Sequence, residues 1–272
     1  MKSGIKLGMK IMVFLLGTCL MTFLPIYPSG IGLPARDAEA DSDILHSSDS
    51  LASENQVPVS QEVITETLSL EDALRAYDPA NPSKPSLPPS ENTQIACTAG
   101  ILTYYGQGDP RWADSLYGAS DRLGAYGCGP TALAMIVNSF TQYKVTPLDT
   151  AKWASDNGYC SPGEGSRHAL IPDGLTYYGL NVTSLTDRSP EAILNEVKNG
   201  KIVIALMNKG YFTNGGHFLL LTRVTDTGKL YIADPASWSN TNQAWEPEFI
   251  LSQIRTYAEA GGPLWSASIP EY

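Results

Sequence analysis

Gly127-Cys128-Gly129-Pro130-Thr131-Ala132-Leu133-Ala134-Met135 is the stretch whose reading decides the fold. It places one cysteine where an apolar helix should begin. Pro130 suits a first helical turn, where its missing N–H removes no bond. The flanking glycines allow close backbone approach beside the sulfur. Ala132, Leu133, Met135, Ile136, Val137 and Phe140 are apolar nearly all round, so a buried helix is expected. A thiol at the N-terminus of such a helix meets the positive end of the helix dipole. That environment lowers its pKa from about 8.5 into the range ~3.5–7.5 and gives a thiolate near neutral pH. Standing alone, the segment describes a small core cysteine packed by glycines equally well.

A cysteine nucleophile needs a base, and the base needs an orienting acceptor. Of the three histidines, His46 falls in a polar segment and His168 opens a helix-like stretch. His217 alone sits at the mouth of a strand, in Gly215-Gly216-His217-Phe218-Leu219-Leu220-Leu221. Leu230-Tyr231-Ile232-Ala233-Asp234-Pro235 reads as the next strand, joined through Thr225-Asp226-Thr227-Gly228 as a hairpin. A four-residue loop pairs Val224 with Lys229 and puts Asp234 opposite Leu219. His217 then lies on the same face, one diagonal step away, ~7–8 Å between backbones. A two-residue loop at Thr227-Gly228 keeps the same parity. A three-residue loop without a bulge would turn the two side chains to opposite faces. Upstream, Tyr104-Tyr105-Gly106-Gln107-Gly108-Asp109-Pro110-Arg111-Trp112 offers Gln107, whose amide N–H suits a developing oxyanion. By itself that string also reads as a surface turn anchored by Trp112.

Taken together, Gln107, Cys128, His217 and Asp234, in that order, resemble the papain-like cysteine peptidases. More closely, the chain resembles the bacterial peptidase C-thirty-nine-like family, related to the domains that cleave double-glycine leaders from bacteriocin precursors. The matching strings are 105–112, 127–132, Gly216-His217-Phe218 and Asp234-Pro235, within a similarity spanning about residues 103–252. The resemblance implies an α+β, papain-like cysteine peptidase fold, with a helical part, an antiparallel sheet, and the active site between them. It also implies Cys128 as nucleophile, His217 as general base, Asp234 as orienter and Gln107 as oxyanion donor.

The rest of the chain divides by composition. Lys2, Lys6 and Lys10 precede an apolar run from Ile11 to Ile26, and Ala38-Glu39-Ala40 offers small residues at a cleavage site, so residues 1–40 read as a signal peptide. The run is short for a spanning helix, which needs ~20 residues; an uncleaved signal anchor is the competing reading. Thr18 before Cys19, and the apolar run continuing past it, argue against lipid attachment. Residues 41–95 hold ten acids and two basic residues, rich in Ser and Pro, and read as a disordered acidic linker. Residues 96–272 form the catalytic domain, long enough for a real core. It carries 12 bases and 16 acids within a chain of net charge −10. Nothing here suggests a nucleic-acid groove or an anionic-membrane patch. Mild acidity favours basic peptides as partners.

No Cys/His cluster has zinc spacing, no phosphate-binding Gly-rich loop is present, and no metal or cofactor is expected. Cys97 and Cys160 stand ready to pair in an exported protein or to remain free thiols. Helices are expected from Thr146-Pro147 to Gly158, from Arg167 to Gly179, from Ser189-Pro190 to Gly200 and from Phe249 to Tyr257. Strands are expected at 181–185, 201–208 and 265–269. Trp238, Trp245 and Tyr211 read as cleft lining or as core. The expected function is that of an exported, secreted or cell-surface bacterial cysteine peptidase, acting as a monomer on a peptide or protein, including cell-wall peptide. Membrane contact would come only through an uncleaved signal. The alternatives are a peptidoglycan-directed amidase, endopeptidase or acyltransferase, and a binding module that keeps the fold without the chemistry.

Overall fold

A computed structural model describes residues 87–91 and 93–270; the segment read as a signal, and most of the segment read as a linker, lie outside the described residues. The chain opens with a hairpin of β1 (Gln94–Cys97) and β2 (Gly100–Thr103), so the fold begins just inside the stretch read as linker. Leu87 lies over Gly106, and Arg111 donates to the Glu91 carbonyl at 3.3 Å. A second short hairpin, β3 (Leu116–Tyr117) with β4 (Asp121–Arg122), leads into the one-turn helix α1 (Leu123–Tyr126). Then come the helices α2 (Cys128–Phe140) and α3 (Pro147–Asp156). The hairpin of β5 (Cys160–Ser161) and β6 (Gly165–Ser166) precedes α4 (Leu170–Tyr177). The helix expected from Arg167 starts later because Ser166 is still held in that hairpin and the Arg167 N–H bonds the Tyr159 carbonyl at 2.8 Å.

The remaining chain builds the sheet. It comprises β7 (Asn181–Ser184), α5 (Pro190–Lys198), β8 (Ile202–Met207), β9 (His217–Val224), β10 (Leu230–Ala233), α6 (Trp238–Thr241), β11 (Ala244–Trp245), α7 (Pro247–Ser252) and β12 (Leu264–Ser268). The six strands run antiparallel in the order β11-β10-β9-β8-β12-β7. Every residue of β8 is buried, as expected for a strand covered on both faces. Ile202, Ile204, Leu206, Phe218 and Leu220 face the core with α2, α3 and α4. Val203, Ala205, Met207, Leu219 and Leu221 face a second core with Ile193 and Val197 of α5 and Phe249 and Ile250 of α7. The result is the α+β arrangement of early helices and a late antiparallel sheet.

The β9–β10 hairpin decides whether His217 and Asp234 can meet. The Thr225 N–H bonds the Lys229 carbonyl at 2.8 Å, with Gly228 at φ 86°, so the loop is the three residues Asp226-Thr227-Gly228. This corrects the four- and two-residue loops expected from sequence: Gly228 closes a tighter turn in the left-handed region that glycine adopts freely. Leu230 pairs with Val224 and Tyr231 with Arg223, a register that would set Asp234 opposite Leu220, on the wrong face. The register then shifts, pairing Ile232 with Leu221 and Ala233 with Leu220, and leaves Thr222 as an extra, bulged residue. Continued, that pairing carries Asp234 opposite Leu219, and the parity is restored. The bulge is tied down: the Thr222 carbonyl accepts from the Thr98 N–H at 2.9 Å and its hydroxyl donates to the Tyr231 carbonyl at 3.2 Å.

The last helix is also shorter than the expected span to Tyr257. After α7 the chain leaves the helix, bridges Met207 through Ile254, and donates the Arg255 N–H to the Leu206 carbonyl at 3.0 Å. Pairing with the end of β8 satisfies backbone groups that a continued helix would leave there unpaired.

Helix α3 carries a complete capping box: Thr146 Oγ1 accepts from the Asp149 N–H, and the Asp149 carboxylate accepts from the Thr146 N–H at 2.8 Å. Thr146→Ala should therefore cost about 1 kcal/mol in a denaturant melt. Because, among the described residues, no hydrogen bond or ion pair joins an α3 side chain to His217 or Asp234, the alkylation rate of Cys128 should stay at its native value in that variant.

Candidate active site

Cys128 begins α2, with Gly127 as the residue before the helix. Both neighbours must be glycine for steric reasons. A Cβ on Gly127 would meet the Leu123 carbonyl oxygen at 2.4 Å, and one on Gly129 would meet Ser166 Oγ at 2.7 Å and Leu170 Cδ2 at 2.9 Å. The two glycines let α1 and the β6–α4 segment close directly on the start of α2. Pro130 follows, so the N–H groups left without helical partners there are those of Cys128 and Gly129. The backbone N–H groups of Gly129 and of Phe218, at the start of β9, favour the charged form of the Cys128 sulfur.

His217, at the first position of β9, is nearly fully buried. Its Nε2 lies 2.7 Å from Asp234 Oδ1. The same ring acts on the Cys128 thiol through charge and hydrogen bonding, and with Nε2 taken by Asp234 the nitrogen left for the sulfur is Nδ1. Asp234 has no exposed surface and fills its oxygens from the protein. Oδ1 also accepts the Ala236 N–H at 2.9 Å, and Oδ2 accepts Asn240 Nδ2 at 2.7 Å. Its N–H goes to Thr241 Oγ1 at 2.9 Å, and its carbonyl accepts the Tyr104 hydroxyl at 2.6 Å. Asn240 and Thr241 belong to α6, which Ser237 caps through the Asn240 N–H. Sequence reasoning missed Tyr104, Asn240 and Thr241; the signal available was Ser237, a capping residue placed so that the next turn folds back on Asp234.

Gln107 sits in a turn braced from several sides. Its N–H bonds the Pro235 carbonyl at 2.7 Å, tying it to the residue after Asp234. Trp112 Nε1 donates to the Gly106 carbonyl at 2.9 Å, and Arg111 grips Asp109 with Nε at 3.0 Å and Nη2 at 2.8 Å. The Gln107 side chain is buried, and Nε2 donates to the Gly124 carbonyl of α1 at 2.9 Å. That bond uses one of the two amide protons and leaves the second.

The electrostatics of the pair are reciprocal. Burial alone would push the Cys128 thiol up, but the hydrogen bond and charge of His217, with the Phe218 and Gly129 N–H groups, hold it below the ordinary thiol value. Burial would lower the His217 ring, yet the charge and hydrogen bond of Asp234, followed by those of Cys128, raise it to about 10. Both shifts favour the same pair, a thiolate beside an imidazolium.

The structure thus brings Cys128, His217 and Asp234 into one connected group, with Gln107 attached to it through Pro235 and Gly124. Cys97 and Cys160 are free thiols, the first on β1 against the Gly100 carbonyl and the second against the Tyr117 carbonyl. Trp245 is buried in the second core, where Tyr211 and Phe249 pack on it, and Trp238 packs edge-on against Tyr104. Trp245 is therefore core, while Tyr211 and Trp238 are half-buried at the edges of the two cores. Among the described residues no group of His, Cys, Asp and Glu is gathered as a metal would require, and no helix is long and apolar enough to cross a membrane.

The chain belongs to the Peptidase_C39 like family, whose model matches residues 100–262. It is similar in structure to the peptidase domain of Streptococcus ComA, a bi-functional ABC transporter involved in a quorum sensing pathway. That likeness has 14% identity, covers 58% of this chain and 99% of that one, and has a TM-score of 0.39. A C39-like peptidase from Bacillus anthracis is 18% identical over 54% of this chain and 90% of its own, with a TM-score of 0.34. A double glycine motif protease from an AMS/PCAT transporter, solved with the leader peptide, is 18% identical over 58% and 93%, with a TM-score of 0.36. No curated protein matches the chain.

Asn240 holds the Asp234 oxygen that His217 does not use. Asn240→Ala should leave that oxygen short of a donor and cost about 1–3 kcal/mol of stability. A merely structural role would stop there. If Asn240 positions the carboxylate, the pH midpoint for alkylation of Cys128 by iodoacetamide should also rise, because the imidazolium loses part of its support.

Proposed function

We propose that the chain is a cysteine peptidase that hydrolyses a peptide bond through Cys128, His217 and Asp234, with Gln107 serving the oxyanion. The observation that carries this reading is a single imidazole held between a buried carboxylate at 2.7 Å and a thiol at a helix N-terminus. Family membership supports peptidase chemistry in general.

In the first half-reaction the Cys128 thiolate attacks the carbonyl carbon and forms a C–S bond. The carbonyl oxygen takes the negative charge, and the Cys128 N–H and the second amide proton of Gln107 are the donors proposed to receive it. Collapse breaks the C–N bond as His217 Nδ1 gives its proton to the leaving amine. A thioester and a neutral imidazole remain. Water then loses a proton to Nδ1 and attacks the thioester; the C–S bond breaks and the carboxylic acid leaves. Asp234 keeps Nε2 protonated and the ring aimed through both halves. The basic n-region, apolar run and small residues before position 41 support export of the enzyme, with the acidic segment 41–95 as its spacer.

Cys128→Ala should abolish hydrolysis of a peptide library while leaving the thermal melt nearly unchanged; residual native-level cleavage would rule out the thiol. The pH profile should have two limbs. On the acid side activity should persist below the ordinary thiol range and fall only when the depressed Cys128 pKa is crossed. On the alkaline side it should fall near pH 10, where His217 loses its proton. Asp234→Asn keeps an acceptor but removes the charge, so the acid limb should move up and the alkaline limb down. Unmoved limbs in that variant would make Asp234 a local turn residue only.

A further inference from the structure

One further pair of side chains joins the two halves beside this group. His168 stands just before α4, on the segment whose Ser166 and Leu170 close on Gly129, next to Cys128. Arg255 follows α7 on the sheet half. Its guanidinium lies against Gly216, the residue before His217: a Cβ there would come within 3.9 Å of its Cζ and Nη2.

The hydrogen atoms of this pair do not match. The Glu259 N–H donates to His168 Nδ1 at 3.1 Å, and we assign that nitrogen as the ring's acceptor, which puts the proton on Nε2. Burial first, and the charge of Arg255 second, hold the ring's pKa down against the opposing Glu259 carboxylate, which keeps it singly protonated. His168 Nε2 then faces Arg255 Nη1 at 3.3 Å. A guanidinium accepts nothing, and a protonated ring nitrogen accepts nothing, so two donors confront each other with no acceptor between them. Arg255 is half-buried and makes no ion pair among the described residues. A half-buried cation with a second donor at its side is completed by an anion that accepts from both.

We propose that Arg255 and His168 form a subsite that receives a carboxylate of the substrate beside the scissile bond, an assignment that rests on the peptidase reading of the cleft. The planar fork of Arg255 matches two coplanar oxygens, and His168 Nε2–H supplies a further bond. One formal positive charge suits a monoanion; a doubly charged tetrahedral group would call for a second cation. The carboxylate has two sources in a peptide, the free C-terminus and an Asp or Glu side chain.

The test uses the full chain and pools of hexapeptides bearing Glu or Gln at each position in turn, each pool made as the free acid and as the C-terminal amide. Hydrolysis is one readout. The other is slowing of Cys128 alkylation by iodoacetamide, which reports occupancy without turnover. Carboxylate-bearing pools should be cleaved with kcat/KM about tenfold above their neutral counterparts and should protect Cys128 at correspondingly lower concentration. A preference that follows the free C-terminus assigns the α-carboxylate; one that follows Glu assigns the side chain; both support the subsite. Arg255→Gln should bring the acid-to-neutral ratio toward unity. Arg255→Lys, which keeps the charge and loses the fork, should retain part of it and guards against loss of fold. Equal use of acid and neutral pools by the native chain, or a ratio that survives Arg255→Gln, overturns the subsite, as does absence of both cleavage and protection. Protection by carboxylate pools with no pool cleaved would instead sink the peptidase reading and leave the subsite standing.

Discussion

The hydrogen bond between His217 Nε2 and Asp234 Oδ1, buried at 2.7 Å, is the constraint around which the sheet half is built. A carboxylate with no exposed surface is tolerable only if its oxygens are filled by donors. Three donors do this: the imidazole, the Ala236 N–H and the Asn240 amide. To deliver them the chain must turn back on itself directly after β10, which is what the Ser237-capped helix α6 achieves. The same carboxylate requires the bulge at Thr222, because a regular ladder from the observed three-residue loop would point it away from His217. Tyr104 and Gln107 then reach the same segment through the carbonyls of Asp234 and Pro235. A single buried charge thus organises the hairpin register, the short helix and the glutamine turn.

The helical half obeys a different constraint, which is steric. The start of α2 must come close enough to β9 for the Phe218 N–H to reach the sulfur. Side chains on either side of Cys128 would hold α1 and the β6–α4 segment away, and glycine removes them. Electrostatics and sterics meet at one sulfur: the helix half supplies the position and the sheet half supplies the charge that favours its ionised form.

How much of this was legible depends on how local each feature is. Cys128, His217 and Asp234 each mark a local backbone event, a helix start, a strand start and a strand end, so short strings were enough to find them. Their meeting needed a register, and there the sequence was weaker. The three-residue loop and the Thr222 bulge each change parity, and their effects cancel, so the expected juxtaposition of His217 and Asp234 arose from a loop of the wrong length. Asn240, Thr241 and Tyr104 were invisible because a buried hydrogen bond between distant residues leaves no pattern of period or composition. The early end of α7 had the same origin: Ile254 and Arg255 pair with β8 across some fifty residues, and local propensity for helix yields to that ladder.

The His168–Arg255 pair, 87 residues apart, sets two length scales against each other. Composition argues for basic partners, since the chain carries a net charge of −10. That argument concerns the field felt at a distance, and salt screens it beyond about 8 Å under physiological conditions. Recognition inside the cleft is decided within hydrogen-bond range, where one guanidinium facing a second donor outweighs a diffuse negative surface. An acidic protein can therefore slow the approach of an anionic group and still hold it once seated. The whole-chain charge acts on the rate of encounter, and the local donors act on what stays.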